Sequence, residues 1–117
     1  MLRRIALATG VIDKAGAIAY ERLIRPPAHR WPLWIERCFA QATGGLEALA
    51  AEPWSASDRL DQAEITTACM LRYLQIAVPD LLPAGRCPSL QALSARCEAL
   101  PEFRATCPAD YAVPRSD

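Results

Sequence analysis

The sequence predicts an all-α fold, a bundle of helices around one hydrophobic core. Apolar residues recur three or four positions apart over most of the chain, which is the spacing of one helical face, and strand signals are missing. Ten prolines and five glycines divide these periodic blocks. The chain should therefore form helices separated by short connections.

Length and composition indicate a single domain over residues 1–117. The chain has 117 residues and a mass of 12.8 kDa, within the ~100–150 residues of a common domain. Apolar residues make up 52%, enough for one buried core. Thirteen basic residues balance thirteen acidic residues, which removes the electrostatic basis for binding nucleic acid. No apolar run approaches the ~18 residues that a membrane span needs, so we expect no membrane partner.

Two long helices are predicted in the first half of the chain. The first covers residues 2–25 and stops at a pair of prolines. The second begins at Pro32, a residue well suited to a first helical position, and ends before Pro53. Gly44 and Gly45 would weaken it by about 1 kcal/mol each relative to alanine. We therefore expect either a kink or a tight helix crossing there.

The third helix has a detailed start signal. Asp61 can accept a hydrogen bond from the backbone N–H of Glu64, and Glu64 can reach back to the N–H of Asp61, which makes a capping box. Leu60 and Ile65 can pack on each other as a hydrophobic staple. The helix then runs to about Val78 and is apolar nearly all round. We expect it to be the central, buried helix.

The end of the chain is expected to form one more amphipathic helix and a short turn. Apolar residues recur at helical spacing from Leu90 to Leu100. Pro101 then opens a turn through Phe103, and two prolines within residues 108–117 predict an irregular, extended tail.

The residue types needed for catalysis are sparse. His29 is the single histidine, and a surface role fits it better than a catalytic one. No cysteine pair has the spacing of a zinc site, and an odd count fits poorly with a disulfide framework, so we expect no metal and a reducing cytoplasm. We interpret Cys69 and Cys97 as small hydrophobes within the bundle. The cysteines are Cys38, Cys69, Cys87, Cys97 and Cys107.

Several motifs follow one another along the chain in a familiar order. Residues 3–13 and 34–49 form the first two, the capping box with residues 65–74 forms the third, and residues 88–108 contain Pro-x-Leu, Pro-x-Phe and Thr-x-Pro. Together they resemble the fourth, fifth and sixth helices and the closing signature of the C-terminal domain of bacterial glutathione S-transferases. The similarity covers residues 2–108, nearly the whole chain.

The resemblance implies a division of labour. Family members have an N-terminal thioredoxin-like domain that holds glutathione and activates its thiol, and we expect that domain to be absent from this chain. The helical domain supplies the hydrophobic co-substrate pocket and much of the dimer contact. The resemblance thus implies no catalytic residue and no cofactor bound by this domain alone. Glutathione would be the co-substrate once a thioredoxin-like domain is paired with it, and the partner is expected to be that domain or a second copy.

The resemblance also implies a set of substrate-binding residues. Asp13 matches an acidic position that in several classes approaches the glutathione amino group across the dimer. Helical spacing places four other residues on the same face of the first helix. The candidates are Gly10, Asp13, Ala17, Tyr20 and Ile24. The alternative is that Asp13 is an exposed partner of Lys14 or of an arginine.

Two positions depart from the family pattern. Thr9 replaces an acidic residue often found before the glycine of the first helix. Arg72 occupies a turn of the third helix where related sequences usually carry something small. A guanidinium there needs an acidic partner or an exit to water. If it has neither, the helix is rotated relative to the family or faces a surface left bare by the missing domain.

Three functions remain open at this point. The first is the C-terminal domain of a glutathione S-transferase, inactive alone. The second is a non-catalytic dimerisation or protein-interaction module of the same fold. The third is a carrier of a small hydrophobic ligand held between the first helix and the tail.

Overall fold

The computed structural model describes residues 1–57 and 59–108, and within them the chain forms five α-helices and no strand. This confirms the predicted all-α fold. The helices are α1 (Leu2–Ala19), α2 (Pro32–Ala50), α3 (Gln62–Ala77), α4 (Pro88–Glu98) and α5 (Pro101–Ala105). None of these described helices is long and apolar enough to cross a membrane. Most of the expected irregular tail, residues 109–117, lies outside the described residues.

Helices α1 and α2 pack along each other and are in close contact at Gly45. A Cβ atom at Gly45 would lie 2.5 Å from Cγ2 of Val11, closer than two carbon atoms can come without a shift. A Cβ atom at Gly44 would meet nothing within 4 Å. Of the two alternatives expected at the glycine pair, the structure shows the tight crossing, and α2 continues through it as one helix.

Glu21 fixes the connection between α1 and α2. Helix α1 continues as a π-helical turn, Tyr20–Ile24, in which Glu21 is only 5% exposed. The Glu21 carboxylate accepts a hydrogen bond from the backbone N–H of Trp31 at 3.1 Å and one from Nε of Arg25 at 2.5 Å. The hydrogen bond from Trp31 lowers the pKa of Glu21, burial opposes this shift, and Arg25 adds to it.

Helix α3 begins at the predicted capping box. Asp61 accepts a hydrogen bond from the N–H of Glu64 at 2.8 Å, and Glu64 accepts one from the N–H of Asp61 at 2.9 Å. The other carboxylate oxygen of Glu64 accepts a hydrogen bond from Arg96 of α4 at 3.0 Å. Because Glu64 is only 2% exposed, this guanidinium compensates a buried charge. The box was predicted, but the ion pair that joins it to α4 was not.

Helix α3 is buried on one face only. Leu71 and Leu74 are fully buried in the core, covered by α1 and α4. On the other face Ile65 is 37% exposed and Cys69 is also exposed. The expectation of a central, buried helix is therefore wrong for this face, where a cavity and a groove separate α3 from the α5 region. The interpretation of Cys69 as a buried residue is wrong for the same reason, whereas Cys97 is buried as predicted.

Candidate functional site

A cavity of about 340 Å³ opens between α1, the exposed face of α3 and the α5 region. Five of its wall residues are mainly apolar or aromatic: Ile12, Tyr73, Ile76, Phe103 and Pro108. The other five carry a charged, hydroxyl or sulfur group: Cys69, Arg72, Glu98, Thr106 and Cys107. The cavity thus lies between the first helix and the start of the tail, the place at which the third open function would hold a small hydrophobic ligand.

Arg72 lies in the cavity wall without a carboxylate partner among the described residues. Its Nη1 donates to the side-chain oxygen of Gln75 at 3.2 Å, and its Nη2 donates to Sγ of Cys107 at 3.2 Å. Its Nε is buried and has no hydrogen-bond partner. None of the ion pairs within residues 1–57 and 59–108 involves Arg72. Of the two alternatives expected for Arg72, an acidic partner is not supplied by this part of the chain, and the residue is only half-buried, which leaves the exit to water.

The Cys69 thiol and the Tyr73 hydroxyl in the cavity wall are held in their neutral forms. Although the Cys69 residue is exposed, its partial desolvation in the cavity wall raises the pKa of its thiol, and the charge of Glu98 raises that pKa further. Burial also raises the pKa of the Tyr73 hydroxyl, with a smaller contribution from Tyr20. Both groups therefore stay protonated near neutral pH. The cavity is better arranged to bind an apolar molecule than to generate a nucleophile from these two groups.

Several other residues with reactive or metal-binding side chains lie apart from the cavity. His29 is exposed at the end of a 3-10 turn, Pro27–His29, as the sequence predicted. Cys38 and Cys97 are buried, and burial raises the pKa of both thiols. Over the described ranges, no three His, Cys, Asp or Glu side chains are grouped closely enough to hold a metal ion. The cavity is thus the feature around which a functional proposal can be built.

The five predicted substrate-binding residues lie on the solvent side of α1 and of its π-helical turn, not in the cavity wall. Gly10, Asp13, Tyr20 and Ile24 are exposed, and Ala17 is half-buried. Gly10 lines a shallow groove between α1 and α2. Their role in binding stays a prediction. Sequence reasoning did not assign Ile12, the neighbour of Asp13, to the cavity, although its place on the apolar stripe of α1 marks the correct side of the helix.

Solved structures show which proteins share this fold. A glutathione S-transferase from Methylobacterium radiotolerans, in complex with glutathione sulfonate, is 29% identical over 98% of this chain, with a TM-score of 0.76. A glutathione transferase family member from Pseudomonas fluorescens with bound S-(propanoic acid)-glutathione is 31% identical over 92%, with a TM-score of 0.81. The Pseudomonas fluorescens protein with bound glutathione gives 31% identity over 92% and a TM-score of 0.82.

The extent of these matches identifies the class of protein. The matches include 92–98% of this chain, but the chain spans only 53–56% of the length of the matched proteins. No protein-family model matches the sequence, and no curated protein does. The helices, the capping box and the structural matches together define an all-helical domain of the C-terminal type. Over nearly its whole length the chain is similar in fold and sequence to glutathione transferase family proteins.

Proposed function

We propose that this chain is the co-substrate half of a cytoplasmic glutathione transferase. In this role it holds an apolar electrophile while a thioredoxin-like domain holds glutathione and activates its thiol. The observation that carries the proposal is the mainly apolar cavity, present on a fold shared with proteins whose structures contain glutathione or a glutathione conjugate. The free state of the cysteines fits a reducing compartment.

The reaction assigns this chain a binding and orienting role. The glutathione thiolate donates an electron pair to the electrophilic carbon, and the leaving group departs with its bonding pair or, in an addition, the carbon framework accepts a proton. The cavity walls would hold the electrophile near that thiolate and so raise its effective concentration. Asp13 is proposed to bind the glutathione amino group across a dimer, where its exposed position on α1 leaves it accessible. The chain alone should catalyse no conjugation.

A fusion protein tests this division of labour. The part of the Pseudomonas fluorescens relative that this chain does not cover would be joined to its N-terminus, and conjugation of chlorodinitrobenzene would be measured. We expect activity from the fusion and none from the chain alone. Phe103→Ala, in the cavity wall, should raise the KM for chlorodinitrobenzene about tenfold. Arg104→Ala, its exposed neighbour in α5, should leave KM unchanged.

The contrary result of the fusion experiment is equally specific. A folded fusion that binds glutathione but conjugates no faster than free glutathione would contradict the proposal. A fusion in which Phe103→Ala and Arg104→Ala behave alike would place the electrophile outside the cavity.

The second candidate, a dimerisation or protein-interaction module, is favoured by a different observation. Large apolar side chains stand exposed near the end of α1 and the start of α2. They are Tyr20, Ile24, Trp31 and Leu33. Such side chains often mark a contact with another protein. Sedimentation should show a dimer that Leu33→Lys weakens, whereas a monomer at high concentration would count against this module.

A further inference from the structure

Arg72 places a positive charge in the wall of a mostly apolar cavity. The described partners of its guanidinium are an amide oxygen of Gln75 and the sulfur of Cys107, and its Nε has no partner. A charged group beside apolar surface is stabilised chiefly by a counter-charge or by strong hydrogen bonds. The planar guanidinium is also well suited to bind carboxylate, sulfonate or phosphate oxygens. The charge therefore has the properties of an anion-recognition group.

We infer that the cavity selects small apolar molecules that carry one anionic group. The carboxylate or sulfonate would lie against Arg72, and the apolar body would lie against Ile12, Ile76 and Phe103. An engineered cavity of ~150 Å³ holds benzene. A cavity of about 340 Å³, more than twice that size, therefore has room for a molecule of two or three rings. Binding of such a ligand does not depend on the proposed function. Only the further statement that this ligand is the co-substrate rests on it.

Glu98 adds a negative charge to the cavity wall that also contains Arg72. Its carboxylate lines the same cavity, and its charge acts on Cys69, one turn of α3 before Arg72. It forms no ion pair with Arg72 among the described residues. An anionic group is repelled by Glu98 and attracted by Arg72. The two charges thus act on the anionic group of a ligand with opposite sign.

A pair of fluorescent dyes isolates the contribution of the anionic group. The compound 8-anilinonaphthalene-1-sulfonate is anionic, and N-phenyl-1-naphthylamine has the same rings without the sulfonate. With the full chain, Arg72→Gln should weaken binding of the anionic dye about tenfold, as expected for one lost charge-assisted contact. Binding of the neutral dye should stay within about twofold. The control Arg104→Gln removes an exposed α5 charge that does not line the cavity, and it should change neither.

Two further measurements keep the result independent of folding defects. Glu98→Gln should strengthen binding of the anionic dye by a few fold, which partial unfolding of the cavity would not confine to the anionic dye. The bound anionic dye should also slow alkylation of Cys69 and Cys107, which line the cavity, but not that of Cys87, which does not. Mass spectrometry of the alkylated chain gives the rates.

The outcomes separate this inference from the proposed function. Equal weakening of both dyes by Arg72→Gln, or alkylation of Cys69 unaffected by the anionic dye, would overturn the inference. Because no catalysis is measured, an inactive fusion would leave a positive dye result standing and contradict only the proposed function. An active fusion that shows no preference for anionic electrophiles would instead remove Arg72 from substrate selection.

Discussion

Two neighbouring residues of α1 have opposite surroundings. Val11 is 2% exposed and lies against Gly45 of α2, with no space for an added carbon atom between the helices. Ile12 is half-buried and faces the cavity beside α3. One side of α1 is thus closed by steric fit, and the adjacent side is left open.

This difference separates the parts of the molecule that hold the fold from the part available to a ligand. Close packing on the α1–α2 side fixes the helix crossing, because interiors are packed as densely as organic crystals. On the cavity side, apolar area stays exposed and contributes less to folding, while its burial by a ligand would gain about 25 cal/mol per Å². Substitutions on the two sides should therefore change the free energy of unfolding by different amounts or in opposite directions.

The largest difference is expected between the two faces of α3. Leu74→Ala removes a fully buried side chain and should lower the free energy of unfolding by about 2–5 kcal/mol. Ile65→Ala removes a side chain of the same volume that is 37% exposed, and the cost should stay below about 1 kcal/mol. Urea unfolding followed by circular dichroism measures both. Equal losses would mean that the open face is covered in solution.

The second-largest effect on stability is expected at the buried ion pair at the start of α3. Arg96→Met leaves the Glu64 carboxylate buried without its counter-charge and should cost about 2 kcal/mol. The matched control is Arg86→Met, which breaks the exposed pair with Glu47 at 3.7 Å and should cost less than about 0.5 kcal/mol. If thermal unfolding shifts by the same amount in both variants, the capping box alone supports Glu64.

Alanine substitutions at the two adjacent glycines should change the stability of the protein in opposite directions. Gly45→Ala should destabilise the protein by about 1–2 kcal/mol, because the new methyl group meets a stiff, buried Val11. Gly44→Ala has open space and should stabilise it by about 0.5–1 kcal/mol through helix propensity. The double variant Gly45→Ala/Val11→Ala should cost less than the sum of the two single changes. Strict additivity in chemical denaturation would show that the contact does not limit the crossing.

The features predicted correctly from the sequence are those set by local interactions. The capping box joins Asp61 and Glu64, three residues apart, and helix ends follow from proline sites, so both can be read along the chain. The partner of Glu64 could not be predicted, since Arg96 lies 32 residues away and only tertiary packing brings them together. Likewise, the apolar composition of α3 did not show that its Ile65 side lacks a full cover. Composition gives hydrophobicity, but not how many neighbours a helix has.

The candidate site was predicted only in outline. Helical spacing on α1 groups residues by face, and it grouped Asp13 with other solvent-facing positions. The cavity is instead assembled from α1, α3 and the α5 region, so no single periodic pattern contains it. Arg72 was the one informative signal, because a charge in an apolar context requires an explanation wherever it occurs.

The smallest expected effect concerns the α1–α2 connection and depends on pH. The pKa of Glu21 lies below its ordinary value of 4.5 in the folded protein, mainly because of the hydrogen bond from the Trp31 N–H. Its ionised form therefore stabilises the fold above that pH, and the contribution is lost as pH falls through the lowered pKa. Glu21→Gln should lower Tm at pH 7 and bring the variant closer to the unsubstituted protein under strongly acidic conditions. Glu36→Gln, on the exposed side of α2, supplies the control, and a Tm difference for Glu21→Gln that stays constant from pH 7 to pH 3 would show that its charge does not hold the connection.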